Sequence, residues 1–216
     1  MSAAPEPLER AALFDAAAFQ AETGASPRAM ADLEVFRARL AEWNQRMNLV
    51  GPSALEVFWL RHAFDSAQLL RLAPAARCWV DLGSGAGFPG IVLAILLKGR
   101  PGAVVHLVES MQKRCRFLEV VVDELGLPAE IHNVRAEALR IDCDVVVARA
   151  CAPLVRLFGY AQPYLRRGAV GLFLKGQDVA SELETATISW RFKADLIESR
   201  SHTEGRIVRV KRLEHV

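Results

Sequence analysis

The residues best suited to chemistry lie in Val80-Asp81-Leu82-Gly83-Ser84-Gly85-Ala86-Gly87-Phe88-Pro89-Gly90. An acid is followed by closely spaced glycines, and apolar runs flank both: Cys78 to Leu82 before, Ile91 to Leu97 after. The first run has the length and apolar character of a strand buried on both faces, and the second those of a packed helix. Gly83, Gly85 and Gly87 then fall at a strand-to-helix corner, where bare backbone turns tightly and lets a ligand approach. Pro89 suits the first turn of the helix, where its missing N–H costs nothing.

Two ligands compete for such a corner. Gly85 to Gly90 matches the dinucleotide pattern G-x-G-x-x-G, with Glu109 about the right distance downstream. Counted from Gly83, the first residue after the strand, the pattern fails at Phe88. Asp81, two residues before the first glycine, is placed to organise the turn and the methionine end of S-adenosyl-L-methionine. A methyl donor is therefore the expected cofactor, with a nicotinamide as the rival. Glu109, ending the second strand, is expected to accept hydrogen bonds from ribose hydroxyls. After the third strand, Ala136 and Glu137 stand where adenine should lie, with Asp142 and Asp144 as competing acids.

The fourth strand ends Val147-Ala148-Arg149-Ala150-Cys151-Ala152-Pro153. It lacks the Asn/Asp-Pro-Pro-aromatic run used on exocyclic amines and the Pro-Cys order used on pyrimidine carbon 5. Cys151 is expected to be a small buried hydrophobe. Arg149 occupies the position and could hold cofactor or base edge, or pair with an acid. These absences favour a nucleophile that needs no deprotonation, such as N(7) of guanine, and no catalytic base is expected.

The elements that must position these groups follow from periodicity. Residues 1 to about 72 read as helical: Leu33, Phe36, Leu40, Trp43 and Met47 form one stripe after Pro27, and Ser53 with Glu56 forms a capping box that opens a helix running to about Leu70 or Arg71. Beyond Pro74 the pattern is strand 78–82, helix 89–98, strand 103–108, helix 111–125, strands 129–132 and 144–149, helix 153–165 and strand 169–175. That alternation implies a mostly parallel sheet with helices on both faces. Trp190 to Ile197 and Arg206 to Arg212 read as an antiparallel pair closing it.

The chain has 216 residues, 52% of them hydrophobic, and a net charge of +2. These values fit one domain with an extension and argue against disorder. No apolar run is long enough to cross a bilayer. Glu6, Glu9 and Asp15 give a start unlike a signal peptide, so a cytoplasmic protein is expected. Cys78, Cys115, Cys143 and Cys151 are scattered, with no C-x-x-C and no paired histidines, so no metal site is expected. Cations at Lys113, Arg114 and Arg116, at Arg166 and Arg167, and along Arg206 to Arg212 could track phosphates or simply solvate an exposed edge.

Several segments together resemble one family, the ribosomal small-subunit methyltransferase G family, also called glucose-inhibited division protein B. They are Trp43-Asn44 with Asn48-Leu49, Arg61-His62 with Asp65-Ser66, the Asp81 to Gly90 loop, Lys113-Arg114 with Phe117-Leu118, Arg135 with Glu137, Arg149-Ala150, and Leu174-Lys175-Gly176. The resemblance implies a Rossmann-like class I methyltransferase fold. That is an α/β architecture with a mostly parallel seven-stranded sheet (residues 73–216) and an N-terminal helical extension (1–72). It also implies transfer of methyl from S-adenosyl-L-methionine to guanine N(7) in 16S rRNA of the small ribosomal subunit. The cytoplasmic enzyme is expected to be a monomer, since nothing in the sequence demands more. Cofactor contacts fall to Asp81, Gly83, Gly85, Gly87, Phe88, Glu109, Ala136, Glu137 and Arg149. Arg149, Asn48, His62 and Lys175 would help position the target. The sequence departs from the family at Asn48-Leu49-Val50, where many members read Asn-Leu-Thr. Arg61 and Asp65, one helical turn apart, could instead simply pair with each other. A nicotinamide-dependent oxidoreductase and an inactive ribosome-associated binding module stand as the alternatives.

Overall fold

The computed structural model describes residues 13–216. The acidic start at Glu6 and Glu9 and the beginning of the alanine-rich first helix lie outside the described residues. Helix α1 (Ala16–Thr23) is capped by the Asp15 carboxylate, and α2 (Pro27–Met47) by the Ser26 hydroxyl with a proline in its first turn. The stripe expected on α2 is the buried one: Leu33, Phe36 and Leu40 are fully enclosed.

The next segment departs from the single capped helix that Ser53 and Glu56 predict. A 3-10 turn (Pro52–Leu55) with no side-chain cap leads into a π-helical stretch (Phe58–Phe64), then short helices α3 (Asp65–Ala67) and α4 (Leu69–Leu72). Pro52 starts the turn one residue before Ser53. The wider winding then lets Phe58, Trp59, Leu60, Ala63 and Phe64 all be buried, more than one stripe of an α-helix holds.

The remainder alternates: β1 (Cys78–Leu82), α5 (Gly90–Leu97), β2 (Val104–Val108), α6 (Gln112–Leu125), β3 (Ala129–His132), β4 (Val145–Arg149), α7 (Leu154–Leu165), β5 (Val170–Lys175), α8 (Val179–Ala186), β6 (Trp190–Glu198) and β7 (Arg206–His215). Helix α8 has no counterpart in the sequence pattern. The seven strands are ordered β3-β2-β1-β4-β5-β7-β6, with β1 to β5 parallel and β7 antiparallel to both neighbours. Because β7 lies inside the sheet, its cations are not an edge: Arg209 pairs with Asp195 on β6, while Lys211 and Arg212 are exposed.

Each sheet face carries its own core. Trp79, Val105, Leu107, Val145 and Val147 meet α2, α5, α6 and the π-helical stretch. Val80, Leu82, Val146 and Phe173 meet α7. The strand order reverses between β1 and β4, and in open α/β sheets ligands bind at such a point, beyond the carboxyl ends. Gly83 and Arg149 stand at those two ends.

Candidate active site

The β1 corner is built around a dry acid. Asp81 is fully buried; its Oδ2 accepts the Gly90 N–H at 3.0 Å, while Oδ1 has no hydrogen-bond partner among the described residues. Burial pushes the carboxyl up to about 7, against the hydrogen bonds from Ser84 and Gly90. Only glycine fits at 90, since a Cβ there would lie 2.2 Å from Leu107 Cδ2 and 2.6 Å from Asp81 Oδ2. Helix α5 thus starts at Gly90, with Pro89 just ahead of its first turn, and presents its N-terminus to a carboxylate. A pyrophosphate in that place would meet an acid, which argues against the dinucleotide alternative.

Gly83, with φ +74, packs so closely against the turn after β4 that a Cβ would lie 2.8 Å from Cys151 Sγ. Burial raises that thiol to about 11, so Cys151 remains protonated and packs as a small apolar group. Across the corner, Glu109 Oε2 accepts the Gly85 N–H at 3.0 Å and Oε1 the Met111 N–H at 2.8 Å. Each oxygen keeps acceptor capacity for a further donor. Arg114 approaches Glu109 at 3.7 Å and lines the cleft, while Lys113 and Arg116 are exposed.

Phe88 is nearly buried, packed on Phe36 (ring centroids 5.3 Å), Phe58 (6.1 Å) and the stacked imidazole of His62 (4.8 Å). The helices before the sheet thus brace the glycine loop from behind. Arg149 lies beside the His62 imidazole, its Cζ 5.4 Å from the Phe88 centroid. It donates to the Arg61 carbonyl at 3.0 Å and to His62 Nδ1 at 2.6 Å, and approaches Asp65 Oδ2 at 3.8 Å. His62 must accept from Arg149, so it is neutral at that nitrogen; burial first, then Arg149 and Arg61, pull it down to about 3. Ala150, at φ +50, turns the chain sharply just after Arg149.

The Arg61–Asp65 pair expected from helical spacing does not form among the described residues. The π-helical winding between them takes the two side chains out of one-turn alignment, and Asp65 faces Arg149, Gln68 (3.0 Å) and the hydroxyls of Ser199 (3.2 Å) and Ser201 (2.5 Å) instead. Ser199 and Ser201 carried no sequence signal, being more than 130 residues away.

Two adjoining clefts share Arg149 and Ala150. One, about 190 Å³, is lined by the glycine loop with Leu49, Val50, His62 and Arg114; the other, about 400 Å³, runs over Lys175, Asp178, Glu182 and Arg206. Lys175 is held in place by Glu182 at 2.7 Å and the Ala152 carbonyl at 3.2 Å. Asn48 is the exposed, left-handed end of α2, and Asn44 ties down the following loop through the Val50 N–H at 2.9 Å. Arg135 and Glu137 are exposed and Ala136 half-buried on the β3–β4 connection. Asp144 and Asp142 lie at the opposite end of the sheet: Asp144 accepts the Arg77 and Cys78 N–H groups at 2.7 and 2.9 Å, and Asp142 pairs with Arg167 at 3.0 Å. They do not compete with Glu137. A cavity of about 460 Å³ among α1, α2 and α5 shares no lining residue with the glycine-loop cleft.

Strand order, acid-tipped β1 and glycine corner define the fold of the S-adenosylmethionine-dependent methyltransferases. A SAM-dependent methyltransferase from Aquifex aeolicus matches at TM-score 0.53 and 15% identity, covering 81% of this chain and 98% of that one. A mutant of MtNAS solved with S-adenosylmethionine matches at 0.54 and 18%, covering 95% and 87%. At sequence level, the model of the family described as rRNA small subunit methyltransferase G matches residues 29–206. A Caulobacter vibrioides protein named ribosomal RNA small subunit methyltransferase G is 62% identical over 95% of each chain, and one of the same name from Methylorubrum populi is 48% identical over 85% of this chain and 89% of its own. The chain belongs to the rRNA small subunit methyltransferase G family.

Proposed function

We propose that this chain transfers a methyl group from S-adenosyl-L-methionine to N(7) of one guanine in 16S rRNA of the small ribosomal subunit, acting as a cytoplasmic monomer. Family membership supports the reaction class and the rRNA substrate. The observation favouring a ring nitrogen is the chemistry of the glycine-loop cleft. Its histidine has a depressed pKa and accepts from Arg149, and the neighbouring thiol stays protonated near neutral pH. Neither is suited to deprotonate a target, and guanine N(7) already carries a free lone pair.

The cofactor, when bound, supplies a sulfonium methyl group. The residues present fit it: the buried Asp81 Oδ1 lacks a donor, Gly83, Gly85 and Gly87 have no side chains to displace, and Glu109 has capacity for a diol. Exposed Met111 and Val134, beside Glu109 and Ala136, offer apolar surface to a purine. Arg149 is held by four groups, so it presents a fixed cation between the two clefts, and Phe88 keeps the loop from collapsing. Positioning of this kind accounts for ~7–11 kcal/mol in well-oriented reactions. Asn48, His62 and Lys175 stand as target-positioning residues, with Lys175 acting through the Ala152 carbonyl and Glu182. In this reading residues 1–72 are an extension whose described helices, from Ala16 on, brace the 73–216 methyltransferase core.

Incubation of small subunits lacking the modification with labelled S-adenosyl-L-methionine tests the proposal. N(7)-methylguanine is expected at a single 16S position; label on an exocyclic amine or a carbon, or none at all, overturns it. Among the described residues no helix is long and apolar enough to cross a membrane.

A further inference from the structure

The sequence holds no adjacent histidines, yet the fold brings two together with a carboxylate outside the catalytic corner. On parallel strands, His106 of β2 is the register partner of Glu130 of β3, and His132 lies two residues further along β3. Side chains two apart on a strand share a face, so all three project from one side of the sheet. His106 Nδ1 lies 3.0 Å from His132 Nε2 and 3.4 Å from Glu130 Oε2, and the third edge, His132 Nε2 to Glu130 Oε2, is 4.0 Å. We propose that His106, His132 and Glu130 form a binding site for one divalent transition-metal ion of the zinc type, which clamps β3, at the sheet edge, to β2.

The triangle has the right size. With metal–nitrogen and metal–oxygen bonds of about 2.0–2.2 Å, tetrahedral coordination separates donor atoms by ~3.3–3.5 Å, within the observed range of edges. The donor set also fits: two imidazoles and one carboxylate suit zinc, cobalt or nickel, while a hard calcium or magnesium ion would want more oxygens. The exposure of the three side chains grades from 12% at His106 through 23% at His132 to 63% at Glu130, so water can complete the shell. Without a metal the two facing nitrogens at 3.0 Å can share only one proton between them, and the carboxylate competes for it.

The placement gives the ion a structural role. His106 is the central residue of β2 and His132 the last of β3, so the site adjoins the β3–β4 connection, residues 133–144, which contains no helix. His132 accepts the Glu109 N–H at its carbonyl (3.1 Å), and Asn133 donates to the Glu109 and Ser110 carbonyls at 3.0 and 3.1 Å. Fixing β3 therefore steadies the loop ends that carry Glu109 and Ala136.

The test uses the tag-free full chain, stripped with chelator and titrated with zinc against a chromophoric competitor, with cobalt(II) as a spectroscopic probe. One zinc per chain in the micromolar range or tighter is expected, with the d–d absorption of four-coordinate cobalt and no thiolate charge-transfer band. Glu130→Gln, at the most exposed ligand and hence the variant least able to disturb folding, should weaken zinc at least about tenfold. His132→Asn should abolish it, and Cys143→Ser should leave it unchanged. No zinc binding at about 100 µM, binding unaltered in Glu130→Gln, or a thiolate band lost in Cys143→Ser would each overturn the site.

Discussion

The β1 corner and the β4 end meet at the same cleft but are made in opposite ways. At the β1 corner the side-chain hydrogen bond of Asp81 is local and buried: the acid caps α5 nine residues on, and the glycines between them shape the turn. At the β4 end Arg149 takes its partners from Arg61, His62 and Asp65, nearly ninety residues earlier, and Asp65 is in turn held from Ser199 and Ser201. A local device depends on backbone shape and tolerates no added atom. A long-range one is a network of charges whose members can be trimmed singly.

That contrast orders the expected effects of substitution. The largest falls on the local device: Gly90→Ala forces a methyl into fully enclosed Leu107 and Asp81, and should cost about 3 kcal/mol in chemical denaturation and abolish methyl transfer. A loss below about 1 kcal/mol would show that the corner can yield. Next, Glu109→Ala removes the acceptor for Gly85 and Met111 and should weaken S-adenosylhomocysteine binding by ~1.5–3 kcal/mol in calorimetry, with unchanged affinity removing Glu109 from the ribose role.

The network responds to pH. His62 is held at about 3 in the folded protein against 6.5 unfolded, so between these values the unfolded chain binds more protons and stability falls as pH falls. Asp81, raised from 3.8 to about 7, acts in the opposite sense: the folded chain binds more protons in that interval, and stability falls as pH rises through it. Comparing wild type with His62→Asn isolates the first: between pH 6.5 and 5 wild type should lose ~1–2 kcal/mol relative to the variant. Parallel stability curves would place His62 outside the charge network. The smallest effect is Ser201→Ala, about 1 kcal/mol from one hydrogen bond to Asp65. It should raise the KM for the RNA substrate more than it alters cofactor affinity, and equal changes would dissolve the distinction between the two regions.

The same contrast explains what could be read beforehand. The strand, acid, glycines and helix of the β1 corner are consecutive, so their spacing alone identified them, and the alternation beyond Pro74 gave the parallel sheet. The segment from Ser53 misled because its letters fit an α-helix while five large or apolar side chains from Phe58 to Phe64 needed burial together, and tertiary packing selected a wider winding. The Arg61–Asp65 pairing failed for the same reason. Helix α8, which supplies Glu182 to Lys175, shows no clear stripe in the sequence, since its first turn holds one acid, Glu182, beside the β-branched Val179. The His106, Glu130 and His132 triad was invisible because strand register, not spacing along the chain, brings it together.

The Ser199 and Ser201 contacts with Asp65 tie the arginine at the cleft to a distant hairpin. These serines lie between β6 and β7. The carboxylate facing Arg149 gains its hydroxyl partners only when that hairpin is paired onto β5. Loosening the β6–β7 hairpin should therefore slacken Asp65, and Arg149 with it, before the parallel part of the sheet melts.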